Sequence, residues 1–343
     1  MKALIVRLSS IGDVVHTFPA LAALRAAGWE VGWMVEARAA ELLAGHPLIA
    51  HVVRVERPSL FRIGAMRRMA RQLREQAYDV AIDFQGLWKS ALWARLSGAA
   101  RVLGYAAPWR REPASAFLID EQVDLPEDAQ HVIDKNLALL RALSIDDVGS
   151  RVFPLPLSAE RAARIEELCQ EMDLGAFAIL NPGGGWASKL WPPDRFGALA
   201  RILKERGLTP LVTWGPGEEA LADRVVVASG GTARRCFPTS LLDYTELARR
   251  ARVVVAADTG PLQLACAVGA PVVALFGPTE PTRNGPFGED DIVVRRAPLC
   301  APCHKRRCRI HADVMKAIHP DEVARAIARR LARARKERSV ATG

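Results

Sequence analysis

The sequence predicts an α/β protein built from two doubly wound domains facing a cleft. The chain has 343 residues, more than one hydrophobic core usually organises. Short apolar runs alternate with longer amphipathic stretches, the pattern of parallel strands wrapped by helices on both faces. That alternation is interrupted once, at residues 154–158, where two prolines mark a linker. The domains are therefore placed at 1–155 and 156–318, with 319–343 a C-terminal helix and basic tail.

In the first half, KALIVRL (2–8), EVGWMVE (30–36), HVVRVE (51–56), YDVAIDF (78–84) and ARVLGY (100–105) read as strands. Residues 14–27, 63–76 and 88–97 read as helices. After the linker come a helix over 159–172, the strand AFAILN (176–181) and a helix over 193–206. TPLVTWG (209–215) is a strand, 217–229 a helix, RRCF (234–237) a short strand and 243–250 a helix. Two strands then lie in VVVAADTGPLQLACAVGAPVVALFGPTEP (253–281), and a long Ala/Arg helix covers 320–338.

Composition narrows the function classes. Lys and Arg number 47 against 38 Asp and Glu, a formal charge of +9. The surplus sits in Arg clusters over 57–74, at Arg110–Arg111 and in the tail, and favours anionic partners. No segment is long and apolar enough to cross a bilayer. The N-terminal run carries Arg7 and Asp13, so it reads as a buried first strand rather than a signal peptide. Three of the six cysteines, Cys169, Cys236 and Cys266, are scattered, which points to a reducing, cytoplasmic setting.

Four loops carry chemistry. Leu8-Ser9-Ser10-Ile11-Gly12-Asp13-Val14-Val15-His16 follows the first strand and opens a helix, so its amides face the crevice at the carboxyl end of the sheet. It lacks G-x-G-x-x-G and is no dinucleotide fingerprint. Asp13 stands where a helix cap would stand, and is equally placed to take a proton from an acceptor hydroxyl. Asn181-Pro182-Gly183-Gly184-Gly185-Trp186-Ala187-Ser188-Lys189 permits close backbone approach to a ligand, and Lys189 suits a diphosphate as a compact charge. In Trp214-Gly215-Pro216-Gly217-Glu218-Glu219 a carboxylate is well placed for vicinal ribose hydroxyls. Asp258-Thr259-Gly260-Pro261 makes an exposed helix N-terminus for a diphosphate, with Asp258 accepting from sugar hydroxyls beside it. Asp83-Phe84-Gln85-Gly86 is a weaker signal of the same kind.

The last cluster is Cys300-Ala301-Pro302-Cys303-His304-Lys305-Arg306-Arg307-Cys308, with His311 nearby. C-x2-C is a metal-knuckle spacing, but no second pair exists, so a reduced cysteine loop is expected and no metal is assigned.

Together these stretches resemble the heptosyltransferase family, glycosyltransferases that move heptose from ADP-heptose to lipopolysaccharide. The carriers are RLSSIGDVVHTFPAL, NPGGGWASKLWPPDRF, WGPGEEALA, DTGPLQLACAVGAPVVALFGPTEP and CAPCHKRRC, in that order through most of the chain. The resemblance implies a GT-B fold, with the acceptor on the first domain, the nucleotide sugar on the second, and the C-terminal helix returning to the first. It implies Asp13 as general base, Ser188 and Lys189 at the diphosphate, Glu218 at the ribose, and Asp258, Thr259 and Gly260 at sugar and phosphate. Gln263 stands where the family usually carries His, and Gln donates a hydrogen bond without a positive charge. Relatives with the cysteine loop often have a further Cys where this chain has Val314.

The expected reaction is inverting, metal-independent transfer of heptose from ADP-heptose, a substrate rather than a cofactor, to the inner core of lipopolysaccharide. Kdo-lipid A and heptosyl-Kdo-lipid A are both open as acceptor. Inversion follows from a single displacement, because no second carboxylate suits a covalent intermediate. Ser10, His16, Arg57, Arg67, Arg110 and Arg111 are expected to face the anionic phosphorylated glycolipid. The Arg clusters are also expected to dock the protein peripherally on the cytoplasmic face of the inner membrane. A protein acceptor and a sugar-nucleotide epimerase on the same fold are alternatives. A basic metal-knuckle nucleic-acid binder ranks last, because it leaves the glycine turns without a role.

Overall fold

The structure is a computed structural model that describes residues 1–56, 63–145, 151–303 and 313–341. The chain divides into two compact units, Met1–Pro156 and Leu157–Gly343.

The first unit contains β1 (Lys2–Val6), α1 (Ile11–Val15), α2 (Phe18–Ala26), β2 (Glu30–Glu36), β3 (His51–Val55), α3 (Ile63–Arg74), β4 (Val80–Asp83), α4 (Trp88–Leu96), β5 (Arg101–Tyr105), β6 (Glu121–Val123) and α5 (Val132–Leu139). Its sheet runs β3-β2-β1-β4-β5-β6, parallel throughout. Leu4, Val6, Met34, Ala81 and Trp93 share one core. The strands are apolar on both faces because helices cover both.

The second unit contains α6 (Ala159–Glu171), β7 (Phe177–Asn181), α7 (Pro193–Glu205), β8 (Thr209–Val212), α8 (Glu219–Ala228), β9 (Arg234–Arg235), α9 (Leu241–Arg250), β10 (Val253–Ala257), α10 (Gly260–Ala267), β11 (Val272–Phe276), α11 (Pro281–Asn284), β12 (Ile292–Arg295) and α12 (Pro320–Ala341). Its sheet runs β12-β11-β10-β7-β8-β9, again parallel. Counted from its own first strand this is the order of the first sheet. Each unit therefore reverses strand order once, between β1 and β4 and between β7 and β10. Ligands of doubly wound folds bind beyond the carboxyl ends of the strands at that reversal.

Several elements differ from the sequence reading. The helix expected over 14–27 starts at Ile11 and breaks after Val15. The Thr17 hydroxyl turns back to the Asp13 carbonyl, and Pro19, with no N–H to donate, opens a new helix. β6, α5, α11 and β12 were not expected. Through Arg333, α12 packs within its own unit. Val323, Ala324, Ala326 and Ile327 form a buried stripe in the core of the second unit, and α12 lies on α7, β11 and β12. Arg330 pins it there, 3.0 Å from Asp291, with both side chains buried.

Candidate functional site

In the first unit, β1 ends at the strand reversal, and its loop becomes the N-terminus of α1. Ser10 is the N-cap, and Asp13 three residues on completes a capping box. Asp13 Oδ2 accepts from the Ser10 amide and the Ser10 hydroxyl, each at 3.0 Å. Its Oδ1 lies 2.6 Å from the guanidinium of Arg7. Burial pushes this carboxyl up, but the Arg7 charge and the Ser10 hydrogen bonds outweigh it and hold the pKa at about 2. Asp13 is therefore a fixed, ionised carboxylate at neutral pH.

Arg7 itself is buried and donates to the Phe84 carbonyl, while Gln85 accepts from the Leu8 amide at 2.8 Å. The loops after β1 and β4 are thus stitched together at the reversal point. Beside them Lys89 reaches Glu36 at the end of β2 (2.6 Å) and the Ser9 hydroxyl (3.4 Å). Arg7, Glu36 and Lys89 were missed from sequence. The one available signal was Arg7 itself, a cation inside an apolar strand run.

Two residues expected to face the acceptor are buried. His16 is buried, with its ring edge-on to His131 at a centroid distance of 5.2 Å. The helix break at Thr17 turns it inward. Arg110 is fully buried, paired with Asp83 at 2.5 Å and bonded to Ser115 at 2.8 Å. Its charge is spent inside the fold, holding the end of β4. Arg111 and Arg67 are exposed, Ser10 serves Asp13, and Arg57 lies outside the described residues.

In the second unit the loops after β7, β8 and β10 interlock. Glu218 points back at the glycine loop: Oε1 accepts from Gly184 at 2.9 Å and Oε2 from Gly215 at 3.0 Å. The glycines make this possible. A Cβ at Gly183 would run into the Glu218 carboxylate, and one at Gly184 would meet the Thr259 methyl at 2.7 Å. It is Glu218 whose carboxylate joins the loops, with Glu219 opening α8.

Beyond the glycines a short 3-10 turn, Ala187–Lys189, buries Ser188 and aims Lys189 at the loop after β10. Lys189 Nζ stands 2.5 Å from Asp258 Oδ2 and 4.5 Å from the ring centroid of Trp186. The Thr259 hydroxyl bonds the Ala257 carbonyl instead of capping α10, which starts at Gly260 and Pro261. Gln263, 2% exposed, donates to the Asn284 carbonyl at 2.8 Å, and Asn284 donates to Asp258 Oδ1 at 2.5 Å. Lys189, Asp258, Thr259, Gly260 and Gln263 are thus brought together. Trp186 and Asn284 join them without having been expected to.

Such an arrangement has one uncapped helix N-terminus, one ammonium and one carboxylate at a strand reversal. That set has the chemistry to receive a diphosphate beside a polyhydroxyl group. Cys300 is exposed, and Cys303 donates its amide to the Pro278 carbonyl, whereas Cys308, His304 and His311 lie outside the described residues. Among the described residues no three His, Cys, Asp or Glu side chains are grouped to hold a metal ion. Burial pushes the Cys236 thiol up to about 12 and the Cys266 thiol well above its usual range, so both are unreactive.

Known proteins resemble this chain in sequence and in fold. The profile of glycosyltransferase family 9 (heptosyltransferase) matches residues 66–312. The chain is 34% identical to lipopolysaccharide heptosyltransferase 1 of Pseudomonas aeruginosa over 318 residues, 90% of this chain and 87% of that protein. Among solved structures, a family 9 glycosyl transferase from Veillonella parvula superposes with a TM-score of 0.79 at 18% identity, covering 97% of each chain. The E. coli heptosyltransferase WaaC, solved with ADP, superposes with a TM-score of 0.73 at 24% identity over 96% of this chain and all of that one. The same enzyme has been solved with ADP-2-deoxy-2-fluoro heptose, with a TM-score of 0.71.

Proposed function

The chain belongs to glycosyltransferase family 9, the heptosyltransferases, and on that premise we propose that it transfers heptose from ADP-heptose to the inner core of lipopolysaccharide. Its relative in Pseudomonas aeruginosa is a lipopolysaccharide heptosyltransferase 1. The acceptor is accordingly Kdo-lipid A, which receives its first heptose. The observation that carries the reading is the cluster at the β7–β10 reversal, where Lys189 and the α10 N-terminus meet Asp258.

Each residue has a role in this proposal. The diphosphate docks on the amides at Gly260, with Lys189 and Ser188 beside it, and Asp258 and Thr259 receive sugar hydroxyls. Glu218 holds the glycine loop in shape and keeps lone pairs for the ribose. Asp13 takes the proton of the attacking hydroxyl as the bond to the departing ADP breaks, in one inverting displacement. Lys189 and the helix amides supply the positive charge that the leaving diphosphate needs, so the step needs no metal. Residues 1–155 hold the acceptor and 156–318 the donor. The exposed Arg67 and Arg111 meet the anionic glycolipid and the cytoplasmic membrane face. Among the described residues no helix is long and apolar enough to cross a membrane.

Asp13→Ala tests the division of labour. It should leave ADP-heptose affinity, measured by calorimetry, near that of the wild type while turnover falls at least about 10²-fold. Near-normal turnover would remove Asp13 from the mechanism.

A further inference from the structure

The two oxygens of Asp258 have different partners. Oδ2 takes the Lys189 ammonium at 2.5 Å, and Oδ1 accepts from Asn284 Nδ2, also at 2.5 Å. Asn284 is the last residue of α11, a single turn held at both ends. Just before it, Glu280 forms a two-bond ion pair with Arg295 of β12, at 2.9 and 2.6 Å. Just after it, the Gly285 amide closes on the Pro281 carbonyl at 2.7 Å. A Cβ at 285 would meet that carbonyl oxygen at 2.5 Å, so only glycine closes the turn. Gln263, from α10, donates to the Asn284 carbonyl at 2.8 Å. The backbone of Asn284 is thereby fixed, and its amide group is aimed at the carboxylate.

A carboxylate turns easily about its terminal torsion, and a lysine has four rotatable bonds to settle. With Oδ1 held, Oδ2 stays on Lys189, and the ammonium is parked over the Trp186 ring. A charge that is already in place when the diphosphate begins to leave needs no reorganisation at that moment. We propose that Asn284 is a positioning residue of the transfer reaction: acting through Asp258, it sets the place of Lys189. This inference rests on the assignment of the second-unit loops as the donor site.

The test compares Asn284→Ala and Asn284→Asp with the wild type, each alone and in a Lys189→Ala background. Heptosyl transfer to Kdo-lipid A, ADP affinity and thermal melting are followed in all of them. Losing a hydrogen bond to a charged group should lower kcat by about tenfold to a hundredfold for Asn284→Ala, with the acceptor KM unchanged. Asn284→Asp, the same size without the donor, should lose at least as much, because it sets a second carboxylate against Asp258. In the Lys189→Ala background the same substitutions should change kcat less than about twofold, since the group they position is gone. An undiminished kcat in Asn284→Ala would overturn the proposal. So would an equal loss in both backgrounds accompanied by an equal fall in melting temperature, which marks a purely structural role. A wild type that neither binds ADP nor transfers heptose would bring down the donor-site assignment, and this inference with it.

Discussion

Arg7→Met asks whether Asp13 is kept ionised by its neighbour. Arg7 is buried, 2.6 Å from Asp13 Oδ1, and bonds the Phe84 carbonyl as well. Burial alone would raise the Asp13 carboxyl, yet Arg7 and the Ser10 hydrogen bonds bring it from 3.8 down to about 2. At about 1.4 kcal/mol per unit, discounted for solvent screening, that lowering is worth roughly 1–2 kcal/mol. The discount is needed because the carboxylate is 36% exposed. The folded-state pKa lies below the unfolded one, so this stability is present above about pH 4 and is lost as pH falls toward 2. Methionine fills the apolar volume but removes the charge. Burial is then opposed only by the Ser10 hydrogen bonds and His16, and the Asp13 pKa should rise. Two assays read the outcome: melting temperature between about pH 3 and 7, and kcat/KM over the same range. The wild type should show no Asp13 limb in activity above about pH 4, whereas Arg7→Met should show an acid limb displaced upward into the measurable range. An unmoved acid limb, with activity retained, would refute the claim that Arg7 governs this carboxylate.

Two further predictions follow from buried contacts. Gly183→Ala should force Glu218 off the Gly184 and Gly215 amides. The cost is about 2–4 kcal/mol of stability, with weaker ADP-heptose binding, and most of the loss should vanish in a Glu218→Ala background; a silent Gly183→Ala would contradict the loop geometry. Arg110→Met should cost about 3–5 kcal/mol, because Asp83 is left buried and unpaired. The acceptor KM of the surviving fold should be unchanged, and a raised KM at unchanged melting temperature would return Arg110 to the acceptor site.

The central strands were legible because parallel strands buried on both faces read as unbroken Val, Leu, Ile and Ala runs. The strand-end loops were legible too, since a glycine turn between such a run and a helix has few purposes. The family resemblance then named roles for Asp13, Lys189, Glu218 and Asp258 that the loop positions alone left open. What stayed hidden was pairing across sequence distance. Arg110 looks like a free cation until the fold sets it against Asp83, 27 residues earlier. Asn284 carries no local signal at all, and its meaning comes from Asp258, 26 residues away. His16 lies on the right loop, but its direction depends on where the helix breaks, and the Thr17 hydroxyl bond and Pro19 decide that. Weak edge strands such as β6 and β12 are held by one neighbour rather than by an apolar pattern of their own.

The most direct measurement is mass spectrometry of Kdo-lipid A after incubation with the protein and ADP-heptose. A gain of one heptose, with ADP released in equal amount, is the predicted result. An unchanged acceptor alongside consumed or isomerised donor would contradict heptosyl transfer to the inner core.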